Sequence, residues 1–259
     1  MRKQKGLTLF AFIIFLFLFF PLFIIVVTSF GSNPTIQFPI EGFTFNWYAN
    51  VFQISGFIES FWLSLRISLL ATSSALTIGI PAAYGLSRYN FPGRNFLKNF
   101  FLSPTIIPGV VVGFSLFQFI VIRLQFPIFQ GLLLGHFLIS LPYIIRVVGS
   151  SMEQLDFSIE EAAWTLGSTR IAAFFKVVLP NISSGIFASF MLAFINSFNN
   201  IPVSQFLSGP GVTTLPTNLM SYIEYNYDPI VSALSVMLMI GTIILMILIE
   251  KTLGLASIS

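Results

Sequence analysis

Residues Ser158–Pro180, SIEEAAWTLGSTRIAAFFKVVLP, decide how the rest of the chain is read. Charges are mixed here with apolar residues at helical spacing. Ile159, Ala162, Ala163 and Leu166 fall at i, i+3, i+4 and i+7, one apolar stripe on a helix. Ser158 followed three residues later by Glu161 predicts a capping-box start. Gly167 predicts the stop, because it takes a left-handed conformation without a Cβ clash. A second stripe follows at Ile171, Phe174, Phe175 and Val178. The expectation is a short helix, a sharp turn and another helix, with the charges on the outer face. In a chain otherwise suited to lipid, such an elbow belongs in water.

The suitability for lipid comes from composition. Of 259 residues, 56% are hydrophobic and only 8% are charged, and the mean hydropathy is +0.91. A soluble domain carries roughly 25% charged residues, so the chain reads as an integral membrane protein. There is no cysteine, which excludes disulfides and thiolate metal sites. The net charge of +3 is small, and no basic face interleaved with aromatics points to nucleic acid. The apolar run from Leu7 to Thr28 is longer than the ~7–15 residues of a signal-peptide core and has no A-x-A site after it, so it reads as a retained first crossing.

A bilayer takes about 20 apolar residues per helix. On that ruler six transmembrane helices are expected, at roughly 7–29, 60–86, 99–121, 128–148, 177–198 and 229–250, in an all-α single domain. Pro104 and Pro108 predict a kink in the third. Lysine and arginine set the orientation. With the N-terminus inside, Arg2, Lys3, Lys5, Arg88, Arg94, Lys98, Arg170, Lys176 and Lys251 are all cytoplasmic, and Arg146 lies near an inner helix end. The outer segments 30–59, 122–127 and 199–228 hold only Arg123. Both termini are therefore expected in the cytoplasm, with 151–176 as a cytoplasmic loop. Phe43, Thr44, Trp47 and Tyr48 fit an interfacial aromatic belt, and Gly209, Pro210, Gly211 and Pro216 predict that the last outer segment opens as a turn-rich re-entrant or surface loop.

Enzyme signatures are missing: there is no H-E-x-x-H, G-x-S-x-G or P-loop. No catalytic residue, cofactor or metal site is expected. The single histidine, His136, reads as a packed, hydrogen-bonded residue rather than a ligand. Arg66 lies about two turns inside the second span, where a charge is either functional or snorkels to the interface. Asn196, Asn199 and Asn200 cluster at the outer end of the fifth span, where amides either line a polar path or tie helices together. Glu224 and Asp228 form an acidic pair at the outer mouth and read as a solvated loop face before any docking role. With neither a nucleotide site nor paired intramembrane carboxylates, the chain has no energy source of its own. A separate cytosolic subunit that grips the elbow is the economical inference.

The row EEAAWTLGSTRIAAFFKVVLP resembles the EAA signature of binding-protein-dependent ABC importer permeases, here with Glu161, Ala162, Ala163, Gly167, Leu179 and Pro180 at the matching positions. The likeness extends to Phe43-Thr44, Trp47-Tyr48, the row from Ala83 to Arg88, Phe91-Pro92-Gly93-Arg94, Leu141-Pro142-Tyr143 and Thr214-Leu215-Pro216. Ser197-Phe198, Val203-Ser204 and Phe206-Leu207 look like the polyamine, opine and phosphonate branch, and within it like the second permease subunit of spermidine/putrescine systems. The resemblance implies a type I importer permease fold in a cell membrane. It also implies a second permease subunit, often a different chain, two cytosolic ATPase subunits and an external solute-binding protein. The coupling helix would include Glu160, Glu161, Ala162, Ala163, Leu166 and Gly167, with Glu161 making a polar contact and Gly167 allowing the turn. Asn199-Asn200 stand where branch members often carry an acidic residue after Ser-Phe, which leaves phosphonates, other zwitterions or a thiamine-like solute open beside polyamines. Two rivals stand: a self-sufficient secondary carrier, whose only acids near the spans would be Glu59 and Glu250, and a membrane-embedded enzyme.

Overall fold

The computed structural model describes residues 2–54 and 56–252; the side chains of residues 2–5, 245–246 and 248–252 lie outside the described part, and with them the charges of Arg2, Lys3, Lys5, Glu250 and Lys251. Among the described residues all regular structure is helical, apart from one isolated bridge between Gly209 and Val212. The backbone falls into two compact units, one built from residues up to Ile58 together with those from Leu219 onward, the other from Glu59–Asn218.

In the first unit, α1 (Arg2–Thr28) contains an apolar stretch, Gly6–Thr28, long enough to cross a bilayer. Its side chains are bare along most of its length, with Phe17 76% exposed. The end of α1 meets α13 (Ile230–Thr252), where the hydroxyls of Thr28 and Ser232 lie 3.1 Å apart. After α1 the chain turns through an aromatic cluster: Phe30 stacks on Phe43 at 5.0 Å between ring centroids, and the Trp47 indole N–H donates to the Gly31 carbonyl at 2.6 Å. Trp47 and Tyr48 sit on α2 (Asn46–Val51). Asp228 opens α13 by accepting the Ile230 backbone N–H at 3.1 Å, and it also accepts the Tyr222 hydroxyl at 2.7 Å. Of the expected acidic pair, Asp228 is thus a helix cap and Glu224 is exposed.

The second unit holds α3 (Phe57–Arg88) from Glu59 on and α6 (Ile128–Glu153), both long and apolar enough to cross alone. Two of the other stretches expected to cross are bent helix pairs, which changes the boundaries expected from the sequence. The third was expected as one kinked helix over 99–121. Instead α4 (Arg94–Leu102) ends in a 3-10 turn, and Arg94–Thr105 lies at 96° to Gly109–Arg123. Pro108 lacks an N–H and sits at ψ 129, so the helix restarts there as α5 (Gly109–Leu116), continued by a π-helical stretch, Phe117–Arg123. On α4, Arg94 and Lys98 share one face while Phe96 (72% exposed) and Phe100 (60%) share another, the pattern of a helix lying in a bilayer interface. The fifth crossing bends by 72° between Arg170–Asn181 and Ser183–Phe198. The break falls at Ile182, two residues after Pro180.

Between these pairs lies the elbow, α7 (Ser158–Thr165) and α8 (Arg170–Ala173), the latter running through a π-helical stretch, Phe174–Val178, into α9 (Leu179–Asn181) and then α10 (Ser183–Phe198). The outer segment expected as a turn-rich loop is mostly helix: α11 (Ile201–Phe206) and α12 (Leu215–Tyr225), with the Gly209–Val212 turn between them. One core cluster joins Ala75 and Ala83 of α3 to Ile144, Val148 and Met152 of α6 and to Val178, Ile182 and Ala193. Another joins Ile67, Leu132, Val203 and Leu207. His136 is 1% exposed, with its ring nitrogens 2.8 Å from the Ser197 hydroxyl and 2.9 Å from that of Ser204. It ties α6 to α10 and α11 as the packed histidine the sequence suggested.

Close backbone approach fixes α5 against α11. A Cβ at Gly113 would lie 2.6 Å from the Pro202 carbonyl oxygen and 3.1 Å from the Val203 Cα, backbone atoms that cannot rotate away. Gly113→Leu is therefore expected to force the two helices apart and to cost about 1–3 kcal/mol. A thermal-unfolding midpoint of the detergent-solubilised variant equal to the wild type's would contradict this packing.

Candidate functional site

The elbow is held by a carboxylate with no exposed surface. Glu160 is 0% exposed, and a buried charge is tolerated only when paired and hydrogen-bonded. Its Oε1 accepts the Tyr84 hydroxyl at 2.6 Å, and its Oε2 accepts Arg88 Nε at 3.2 Å. Both partners come from the last turns of α3. The other end of the Arg88 guanidinium donates from Nη2 to Glu161 Oε1 at 2.7 Å, so one arginine bridges the two consecutive glutamates of α7. Aromatic rings wall the site. The Arg88 guanidinium lies 5.1 Å from the Phe157 centroid and 5.4 Å from that of Trp164, and Arg170 covers Trp164 at 5.4 Å. The Tyr84 ring meets that of Phe174 edge-on at 4.9 Å.

This anchorage reverses the expected orientation of α7. The sequence reading placed charges outward and the apolar stripe inward. Helical geometry sets Glu160 about 100° from Ile159 and about 60° from Ala163, so clamping Glu160 inward leaves Ala163 half-buried and turns the rest of the stripe out. Leu166 is 89% exposed, Ile159 is 36% exposed, and Ala162 is exposed as well. The second stripe divides. Val178 is buried and Phe174 packs on the core, while Ile171 (73% exposed) and Phe175 (61%) face out. The result is an exposed apolar patch on a polar, capped elbow, the signature of a surface that meets a partner.

The cap also differs from the expectation. Ser158 does not cap α7 with its side chain; Asp156 Oδ1 accepts the Ser158 backbone N–H at 3.0 Å. That bond holds the Asp156 carboxyl below its usual range. A carboxyl lowered in the folded state favours the fold above its ordinary value, and that help is lost as the pH falls into the acid range. The DFS row carried the signal, an Asp two residues before a helical Ser. Gly167 has φ +89 and closes the helix as expected, with Ser168 N–H donating to the Ala163 carbonyl at 2.9 Å. Thr169 then caps α8 by accepting the Ala172 N–H at 3.2 Å.

The four candidate path-lining residues differ in what they contact. Asn196 Nδ2 donates to the Tyr143 hydroxyl at 3.0 Å, linking α10 to α6. Asn200 caps α11, its Oδ1 accepting the Val203 N–H at 2.9 Å. Asn199 and Arg66 are exposed, the latter on the face of α3 that also carries Trp62 and Leu70. Tyr84 and Arg88 were not singled out as site residues. Their spacing of four at the C-terminal end of a long apolar helix was the available signal. No group of three or more metal-ligating side chains occurs among the described residues.

Glu160→Ala removes the shared acceptor of Tyr84 and Arg88. A loss on the order of 2–3 kcal/mol is expected, since buried donors lose their partner while Arg88 keeps Glu161. Arg88→Lys is expected to restore only part of the contact, because one ammonium cannot span two carboxylates as a guanidinium fork does. Proteolysis within 155–170 reports the loosening. Equal cleavage of wild type and Glu160→Ala would contradict the clamp.

Residues 75–251 match the family described as "binding-protein-dependent transport system inner membrane component". The chain is 32% identical over 232 residues to the putrescine transport system permease protein PotI of Escherichia coli (strain K12), covering 87% of this chain and 82% of that protein. It is 29% identical over 237 residues to the spermidine/putrescine transport system permease protein PotC of the same strain, covering 90% and 88%. Among solved structures, a chain of a bacterial ABC transporter involved in the import of the acidic polysaccharide alginate superposes with a TM-score of 0.73 at 19% identity, covering 96% of both chains. A chain of the MetNI methionine ABC transporter in an inward-facing form superposes with a TM-score of 0.59, covering 76% of this chain and 92% of that one. Those two likenesses establish the type I importer permease fold, and membership implies ATPase and solute-binding-protein partners. The chain belongs to the family of binding-protein-dependent transport system inner membrane components, as a multi-pass, non-catalytic permease subunit of an ABC importer.

Proposed function

We propose that this permease forms half of the path for a polyamine-class solute, and that α7 and α8 are its contact with a cytosolic ATPase. The observation that carries the coupling role is the apolar patch of Ile159, Leu166, Ile171 and Phe175, turned outward by a buried ion pair. A rigid, capped elbow clamped to α3 passes a push to that span as a rigid body. On this reading Glu160 is the internal anchor, Glu161 and Leu166 face the ATPase, and Ala162 and Gly167 allow close approach and the tight turn. Each importer would carry two ATPase subunits, a second permease and an external solute-binding protein, with both termini of this chain in the cytoplasm.

The solute class is supported by the likeness to PotI and PotC. Asn199 and Asn200 supply no negative charge, and Asn200 is occupied as a helix cap. What this chain offers a cation is neutral: the Tyr143 ring and the Asn196 amide, joined by their hydrogen bond. Charge matching then falls to the partner permease and the binding protein.

Leu166→Asp removes an apolar contact worth about 2 kcal/mol, roughly thirtyfold in affinity. ATPase co-purification and labelled putrescine uptake are both expected to fall, with the amount of this chain in the membrane unchanged. Retained ATPase binding by the double variant Leu166→Asp, Ile171→Asp would remove the patch from the coupling role. Uptake of a phosphonate in place of putrescine would overturn the solute class alone. Labelling of single cysteines at 158–170 by an impermeant reagent from outside intact cells would overturn the orientation.

A further inference from the structure

A cleft of about 230 Å³ opens between the C-terminal ends of α3 and α6 and the second half of α4, within the second unit. Its lining is graded. Ala83, Leu86, Leu102 and Ile145 form an apolar part, while Ser87, Ser150, Lys98, Glu153 and Arg146 form a polar rim. Lys98 Nζ is paired with Glu153 Oε1 at 2.7 Å. Arg146 is exposed and has no ion-pair or hydrogen-bond partner among the described residues. The rim therefore carries one net positive charge, from a guanidinium whose five donors await an acceptor. Beside it lies α4, with Phe96 and Phe100 exposed on the face away from Lys98. Gly149 leaves room at the floor: a Cβ there would meet nothing nearer than the Ser87 hydroxyl at 3.9 Å.

We propose that this cleft holds the headgroup phosphate of an anionic phospholipid, with Arg146 as its principal donor and the acyl chains leaving along Leu102 and Ile145. A single phosphodiester matches the rim in charge, and the apolar-to-polar gradient matches the boundary between acyl chains and headgroups. An arginine forks onto phosphate oxygens with planar, paired donors. A polyamine is the wrong occupant, because the rim repels a second cation. The placement in the inner leaflet rests on the orientation proposed above, whereas the retention of lipid does not.

Native mass spectrometry of the full-length chain in mild detergent tests the site, with phosphatidylglycerol or phosphatidylcholine of equal chain length supplied. Phosphatidylglycerol is expected to be retained preferentially. Arg146→Gln should weaken that retention by about fivefold, the worth of one basic side chain at a membrane surface. Gly149→Leu, which fills the floor without touching a charge, should weaken it too. Arg123→Gln removes an exposed charge elsewhere and should leave it unchanged. Equal retention of the two lipids, no change in either cleft variant, an equal loss in Arg123→Gln, or displacement by inorganic phosphate would each overturn the proposal. The impermeant-cysteine labelling fails or succeeds independently of this readout.

Discussion

A glutamate with no solvent-exposed surface is stable in a fold only when every cost of removing it from water is met locally. Glu160 meets that condition through Tyr84 and Arg88, which approach its two oxygens from a helix some seventy residues earlier in the chain. Breaking such an arrangement costs more than forming it gains, because each group stranded by the break remains desolvated. The interaction therefore acts as a constraint on geometry more than as a store of stability. It fixes the rotation of α7 about its own axis, and the outward-facing residues of α7 follow from that one rotation.

Within the membrane-spanning part of the second unit, polar contacts serve the same end. Lipid offers no hydrophobic force between helices, so packing and hydrogen bonds between them decide the arrangement. His136 joins α6 to α10 and α11 through two serines, and Ser197 reaches on to the Ser68 hydroxyl of α3 at 3.3 Å. Ser64 accepts the Leu215 backbone N–H at 2.7 Å, and Ser60 accepts from Asn218 at 3.0 Å. Small residues make the remaining approaches. Gly113 admits the backbone of α11, and Gly185 packs against the Ser151 hydroxyl. Prolines then place the bends, near 104–108 and after Pro180, where the helix ladder already lacks donors.

The long apolar helices α1, α3 and α6 were legible because hydropathy integrates over many residues and tolerates local error. The elbow and its Gly167 turn were legible for a different reason, since a positive φ at a helix end has few residue types to choose from. What the row could not show was which of Glu160 and Glu161 turns inward. Both lie in the first turn, and their fates are decided by Tyr84 and Arg88, remote in sequence. Amphipathic patterning misled for the same reason. A stripe of apolar residues is read as a buried face, but it serves equally as a face kept for another chain. The bend of 96° was read as a kink in a single span and the bend of 72° was not read at all, because composition on either side stays apolar through the break. Asn200 looked like a pathway amide until its backbone partner at Val203 was visible.

The outward stripe on the elbow has a cost that falls on the cell. Leu166, Ile171 and Phe175 remain wetted for as long as no other chain covers them. On the proposed coupling role, a copy synthesised in excess of its companions displays an adhesive, greasy knob of the kind that chaperones and proteases recognise. If the elbow is the docking face proposed above, an orphan copy thereby advertises its own incompleteness, and the signal vanishes upon assembly.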